Sequence, residues 1–320
     1  MGQLIEGRWH AGWYAPDAEG RFERPPTVFR ERVTADGASG LPAEPGRYHL
    51  YISYACPWAS RLAIIRKLKK LEGAIGLTVV DPRMGDDGWT FQGYPGSDPE
   101  PFYGFQFLRE LYVKARADYT GRVTVPVLWD RQRETVVNNE SRELLRMLDT
   151  EFDAYGDASV QLAPPHLRAQ VDATLDALYP SINNGVYRAG FATRQQAYED
   201  ACRELFAALD TWEQVLGTRR YLCGATLTEA DVCLYTTLVR FDLVYHAHFK
   251  CNLRRIQDYP NLWGYLKDLY QTPGFTETTQ LDHIKLHYYW SQTTVNPTRV
   301  VPLGPTVPLG EPHDRARLFG

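Results

Sequence analysis

Tyr48-His49-Leu50-Tyr51-Ile52-Ser53-Tyr54-Ala55-Cys56-Pro57-Trp58-Ala59 is the stretch on which the reading of this chain turns. Residues 48–53 form a short β-like run. From Trp58 onward apolar residues recur at Leu62, Ile65, Leu68 and Leu71 with basic residues between them, and Gly73 ends the pattern. That spacing predicts a helix. Cys56 therefore stands between a strand and the mouth of a helix. Backbone N–H groups and the positive end of the helix dipole collect at such a place. Both favour the thiolate, which is the nucleophilic form of cysteine. The position three residues on is Ala59, so a C-x-x-C redox pair is cut to one sulfur. A lone nucleophilic cysteine has no neighbour to resolve its mixed disulfide and needs an external thiol.

Leu77-Thr78-Val79-Val80 reads as the next strand and completes a βαβ unit, which implies a parallel pair with a right-handed crossover. A reactive sulfur between strand and helix is the arrangement of thioredoxin-like folds. A long insert follows at 82–121, dense in Gly, Pro and aromatic residues, with a helical stretch at 105–112. Its aromatic content argues against disorder and for a functional lid. Val123-Thr124-Val125-Pro126-Val127-Leu128-Trp129-Asp130 is read as a strand pairing in a hairpin with Thr135-Val136-Val137. Pro126 removes a ladder donor, so it belongs at an edge or special turn where something approaches the backbone. Asn138-Asn139-Glu140-Ser141 opens a helix running to about residue 152, with Ser141 read as its N-cap.

Helical spacing then dominates, over 167–179, 193–216, 228–245 and 262–270, and Thr228-Glu229-Ala230-Asp231 has the form of a capping box. The expected architecture is α/β plus all-α: an irregular extension over 1–45, a thioredoxin-like domain over 46–155 carrying the insert, an all-helical domain over 164–290, and an extended, surface-lying tail over 291–320.

The chain has 320 residues, enough for two domains, and a net charge of -4, so no polybasic surface points to nucleic acid. The first residues lack the apolar core of a signal peptide, and no stretch approaches the roughly 18 apolar residues of a membrane span. Five cysteines, an odd and scattered set, fit reduced thiols in a cytoplasmic setting. Cys223, Cys233, His246, His248 and Cys251 do not have the spacing of a compact zinc site, so no metal is expected. Twenty tyrosines and eight tryptophans suggest either an aromatic pocket or a tyrosine-rich core. At the predicted helix start, Glu140 and Ser141 suit an amino acid's ammonium and carboxylate, with plain capping as the structural alternative. Arg122 suits a second carboxylate, with a solvated arginine as its alternative.

Beyond these readings, a set of separated motifs resembles the xi-class glutathione transferases, the glutathionyl-hydroquinone reductases. The resemblance rests on Ala55-Cys56-Pro57-Trp58-Ala59, on Tyr103-Gly104-Phe105-Gln106-Phe107-Leu108, and on Val137-Asn138-Asn139-Glu140-Ser141. It continues in Gly185-Val186-Tyr187-Arg188-Ala189-Gly190-Phe191-Ala192, in Thr237-Leu238-Val239-Arg240-Phe241-Asp242, and in the tail from His283-Ile284-Lys285 through His287-Tyr288-Tyr289 to Asn296-Pro297-Thr298-Arg299. It implies a glutathione transferase fold, a homodimer, and reduction of glutathionyl-hydroquinones with glutathione as co-substrate. It implies Cys56 as nucleophile and Trp89, Arg122, Val125 (through its backbone), Glu140 and Ser141 as the glutathione-binding set. It implies that Tyr187, Tyr245 and Tyr288 surround the hydroquinone, with Tyr187 and Tyr288 assisting departure of the ring. Three positions depart from the pattern: Ser60 and Gln292 stand where histidine is common, and Cys233 where arginine is expected. The nearest rival reading is an omega-like thiol transferase acting on dehydroascorbate or mixed disulfides. A non-catalytic binding protein on the same fold is the other.

Overall fold

The computed structural model describes residues 2–318. In chain order the main elements are β1 (Gly2–Ile5), β2 (Arg8–Ala11), β3 (Tyr48–Ile52), α1 (Pro57–Leu68), β4 (Gly76–Val79), α2 (Leu108–Ala115), β5 (Gly121–Arg122), β6 (Val127–Asp130), β7 (Thr135–Asn138), α3 (Ser141–Thr150), α4 (Arg168–Leu178), α5 (Gly185–Gly190), α6 (Gln195–Leu216), α7 (Glu229–Arg240), α8 (Pro260–Tyr270) and α9 (Leu281–Ser291). They fall into two compact units. One comprises Met1–Trp13, Pro25–Gln161 and Thr278–Ser291, the other Tyr14–Arg24, Leu162–Glu277 and Gln292–Gly320.

The first unit is thioredoxin-like. Its main sheet has the order β4-β3-β6-β7, with β3 and β4 parallel and the other two pairings antiparallel. Every residue of β3 is buried, His49 included, so the strand has no solvent-facing side to set up an apolar–polar alternation. α1 and α3 pack against each other. The hairpin of β6 and β7 forms as expected, but the ladder with β3 starts only at Val127, opposite Tyr51. Residues 123–126 are not strand, because Pro126 has no N–H to give a ladder.

The extension expected to be irregular is built. β1 and β2 form a hairpin, and β1 pairs with β5 in a second sheet. The hairpin turns at Glu6 and Gly7, both at positive φ, the geometry of a two-residue turn. Gly7 is required for contact as well as conformation, since a Cβ there would lie 2.0 Å from the Ala117 carbonyl oxygen. Further on, Glu31 donates its N–H to Val137 and Arg30 bridges Asn138, so this segment covers the free edge of β7.

The insert is equally ordered. The buried Glu100 carboxylate accepts the Tyr51 hydroxyl at 2.8 Å and the Tyr103 amide at 2.6 Å, tying the insert to β3. The α2 helix begins at Leu108, later than the sequence spacing indicates, with the Glu110 carboxylate accepting the Gln106 and Phe107 amides.

The second unit is helical. Thr228 and Asp231 make the expected capping box at the start of α7. The Glu213 side chain of α6 accepts the first amides of α8, from Asn261 and Leu262. Two expected features are corrected. α9 belongs to the first compact unit, not to the helical one. The tail is also not simply surface-lying: Arg315 is fully buried and its guanidinium donates to the carbonyls of Leu216, Arg219 and Arg220. Those groups lie at and just beyond the end of α6, where helix carbonyls lack intrahelical partners. Among the described residues no helix is long and apolar enough to cross a membrane.

Candidate active site

Cys56 is the N-cap of α1, in extended backbone conformation, with Pro57 at the first helical position. Proline suits that place because its missing N–H is not needed there. Cys56 alone of the five cysteines is only half-buried. Its sulfur lies 3.7 Å from the Val125 carbonyl oxygen, with the thiol as donor. The other sulfurs sit in cores. Burial pushes the thiols of Cys202 and Cys223 up, and that of Cys251 far up, which leaves them poor thiolates. Ser60, one of the departures noted above, donates its hydroxyl to the Cys56 carbonyl at 2.9 Å. It therefore closes the first turn of the helix behind the sulfur.

The start of α3 corrects one expectation. Glu140, not Ser141, is the N-cap, and its side chain accepts the Arg142 amide at 3.4 Å. Ser141 is the first helical residue and donates its hydroxyl to the Trp58 carbonyl at 2.6 Å. The cause is that Glu140 has extended dihedrals and a side chain long enough to reach back to its own helix. The serine hydroxyl is then left for a neighbouring element. The result links the mouths of α1 and α3, so that Cys56, Glu140 and Ser141 are held on one framework.

The remaining thiol-binding candidates of this unit are anchored by parts of the chain that the sequence did not connect to them. Arg122 donates to the carbonyls of Gly12 at 3.2 Å and Trp13 at 3.1 Å. Thr27 donates to the Glu140 carboxylate at 3.2 Å. The Trp89 loop is held from the same extension by Trp9, whose indole N–H donates to the Asp86 carbonyl. Gly88, at φ +74°, leaves room for the Trp9 ring, which a Cβ would meet at 2.9 Å. Trp89 itself is 4% exposed and stacks on His287 with ring centroids 4.8 Å apart. Trp9, Thr27 and His287 carry no local signal in the sequence as partners of these residues.

Tyr288 is buried on α9 in the first unit, edge-on to His287 at 5.3 Å. Tyr187 and Tyr245 lie in the helical unit, 6.0 Å apart, in an aromatic group with Phe22, Phe191 and Phe249. Tyr245 closes a wide helical turn, Phe241–Tyr245, that continues α7. The other departures from the family pattern also lie here: Cys233 is buried, and Gln292 accepts the His248 ring N–H at 2.9 Å. Among the described residues no three His, Cys, Asp or Glu side chains form a metal-holding group.

A family model for the glutathione S-transferase N-terminal domain matches residues 55–151, and one for its C-terminal domain matches 195–268. The chain is 50% identical to the glutathionyl-hydroquinone reductase YqjG of Escherichia coli, over 100% of both chains. It is 47% identical to the glutathionyl-hydroquinone reductase PcpF of Sphingobium chlorophenolicum, over 97% of this chain and 98% of the other. The glutathione-bound structure of YqjG superposes with a TM-score of 0.92, covering 99% of this chain and 100% of that one. A xi-class glutathione transferase from Natrialba magadii, 50% identical, superposes with a TM-score of 0.94 over 99% of this chain and 97% of its own. A half-exposed cysteine at a helix mouth on a thioredoxin-like unit, the two matched domains and these full-length relatives agree: the chain belongs to the glutathione S-transferase family, in the xi class that includes the glutathionyl-hydroquinone reductases.

Proposed function

We propose that the chain reduces glutathionyl-hydroquinones to hydroquinones with glutathione, through a mixed disulfide on Cys56. The observation that carries this reading is the one cysteine that is not buried, at the N-terminus of α1, with alanine at the resolving position. In the first step the Cys56 thiolate attacks the glutathionyl sulfur. The ring carbon–sulfur bond breaks, its electron pair stays on the ring carbon, and that carbon takes up a proton. Carbon is a poor leaving group. A keto form of the ring, held by hydrogen bonds from Tyr187 and Tyr288 to its oxygens, lets the pair delocalise; such assistance contributes about 10²–10⁴-fold. Tyr245 contributes to binding the ring. In the second step a glutathione thiolate attacks the glutathionyl sulfur of the Cys56 disulfide. The products are oxidised glutathione and the Cys56 thiolate.

Glutathione carries one ammonium and two carboxylates. Glu140 is assigned to the ammonium, the backbone amide of Ser141 at the opening of α3 to one carboxylate, and Arg122 to the other. The Val125 backbone and Trp89 complete the set. We further propose a cytoplasmic homodimer, to be checked by light scattering on the purified protein. The test of the reaction is turnover of glutathionyl-menadiol with glutathione, followed by release of menadiol and by intact mass. Cys56→Ala is expected to abolish turnover and the glutathione adduct. Parent-like rates in that variant would overturn the reading. Faster turnover of dehydroascorbate than of glutathionyl-menadiol by the parent protein would replace it with a thiol-transferase function.

A further inference from the structure

His283, His287 and Ser291 are spaced by four residues and so share one face of α9. All three are buried, and all three meet the insert. His283 Nε2 lies 2.7 Å from the Pro95 carbonyl oxygen. His287 Nδ1 lies 2.9 Å from the Pro82 carbonyl oxygen. The Ser291 hydroxyl accepts the Met84 amide at 2.9 Å. A carbonyl only accepts, so the proton on His287 sits on Nδ1, which fixes both the tautomer and the plane of the ring. That plane is nearly parallel to the Trp89 indole, at 15° and 4.8 Å between centroids. Neighbouring Tyr288 lies on the same helix, edge-on to the imidazole.

We propose that His287 is a positioning residue: it fixes the Trp89 indole by face-to-face stacking while the Pro82 carbonyl fixes His287. The inference rests on the reading of Trp89 as a glutathione contact. Because Trp89 is almost fully covered, a bound thiol meets only a small part of its indole, and the position of that part is set by what lies against the ring face. Two substitutions separate the contributions. His287→Asn keeps a donor to Pro82 and removes the ring face; His287→Phe keeps a ring face and removes the donor.

The experiment measures KM for glutathione and kcat with glutathionyl-menadiol for both variants, for Trp89→Ala, and for Trp89→Ala combined with His287→Asn. His287→Asn is expected to raise KM for glutathione about two- to ten-fold, the range of an aromatic pair, with kcat little changed. His287→Phe, which keeps the ring face but loses the bond to Pro82, is expected to raise KM less than His287→Asn, and the double variant to be no worse than Trp89→Ala alone. If Trp89→Ala leaves KM unchanged, the thiol-site reading of Trp89 falls and takes the inference with it. If Trp89→Ala raises KM but His287→Asn does not, or the two effects add in full, only the inference is overturned. His287→Phe behaving as badly as His287→Asn overturns the stacking role and assigns the effect to the hydrogen bond. Should His287→Asn melt below the assay temperature, His287→Leu, which fills the volume without a ring face, takes its place with the same outcomes.

Discussion

Five cysteines share this chain and one has the surroundings of a nucleophile, which gives a prediction at the scale of single residues. Cys56 is half-buried at a helix N-terminus, whereas Cys202, Cys223, Cys233 and Cys251 are buried, and burial pushes three of those thiols up. Iodoacetamide at neutral pH is expected to place one adduct on the native protein, at Cys56, with the other four modified only after unfolding. Peptide mass mapping checks this. An adduct at any buried cysteine forming as fast as that at Cys56 would remove the electrostatic argument. The importance of Cys56 was legible because it rests on local signals: a strand, a helical period and a missing second cysteine. The role of Ser141 was only half legible. Serine is a good N-cap by type, so the sequence favours it, but the hydroxyl went to the Trp58 carbonyl of another element. Residues whose partners lie far along the chain, such as Thr27 beside Glu140 or His287 on Trp89, carry no local signature at all.

Among the elements, the tail shows how far composition misleads. Repeated prolines in the stretch after residue 290 suggest a strand of chain lying on a surface, and proline does rule out regular structure over much of it. Yet one arginine converts the segment into a clamp. Arg315 is buried and donates to three carbonyls at and beyond the end of α6, while Lys267 of α8 donates to the Pro312 carbonyl and Gln271, just after α8, to those of Leu309 and Glu311. Burial lowers the guanidinium's affinity for its proton, so the hydrogen bonds must offset a desolvation cost. Arg315→Ala takes the guanidinium away from the buried Leu216 carbonyl and from the part-buried carbonyls of Arg219 and Arg220. It is expected to cost about 3 kcal/mol and to lower the melting temperature by roughly 5–10 °C. Arg315→Lys, a point charge without the planar fork, is expected to recover only part of the loss. Calorimetry on the three proteins checks this; an unchanged transition in Arg315→Ala would show that the tail does not brace α6. The same lesson applies to the N-terminal extension. Its strands are four residues long and its glycines read as breakers, but the Glu6-Gly7 turn was a usable hairpin signal.

For the molecule as a whole, two buried histidines connect stability to pH. Burial pushes the pKa of His49, in the main sheet, down to about 4, and does the same to His248 in the helical unit. Both rings are hydrogen-bonded as neutral groups, His49 to the Thr78 hydroxyl and His248 to Gln292. The unfolded chain takes up a proton on each near the ordinary value of about 6.5, and the folded chain does so only near 4. Between these values the unfolded state binds more protons, so stability rises with pH in that window. The contribution is complete above about 6.5 and is lost as pH falls towards 4, amounting to about 3 kcal/mol for each ring. Asp231 and Asp242, whose carboxyls burial raises, act in the opposite sense above the ordinary carboxylate range and partly mask the effect in the parent. Comparison with a variant isolates it. Urea unfolding from pH 4 to 7 is expected to give His49→Asn a slope of stability against pH smaller than the parent's by about 1.4 kcal/mol per pH unit, whatever the variant's absolute stability. Equal slopes would mean that His49 titrates alike in both states, and that its burial in the central strand β3 does not keep it neutral.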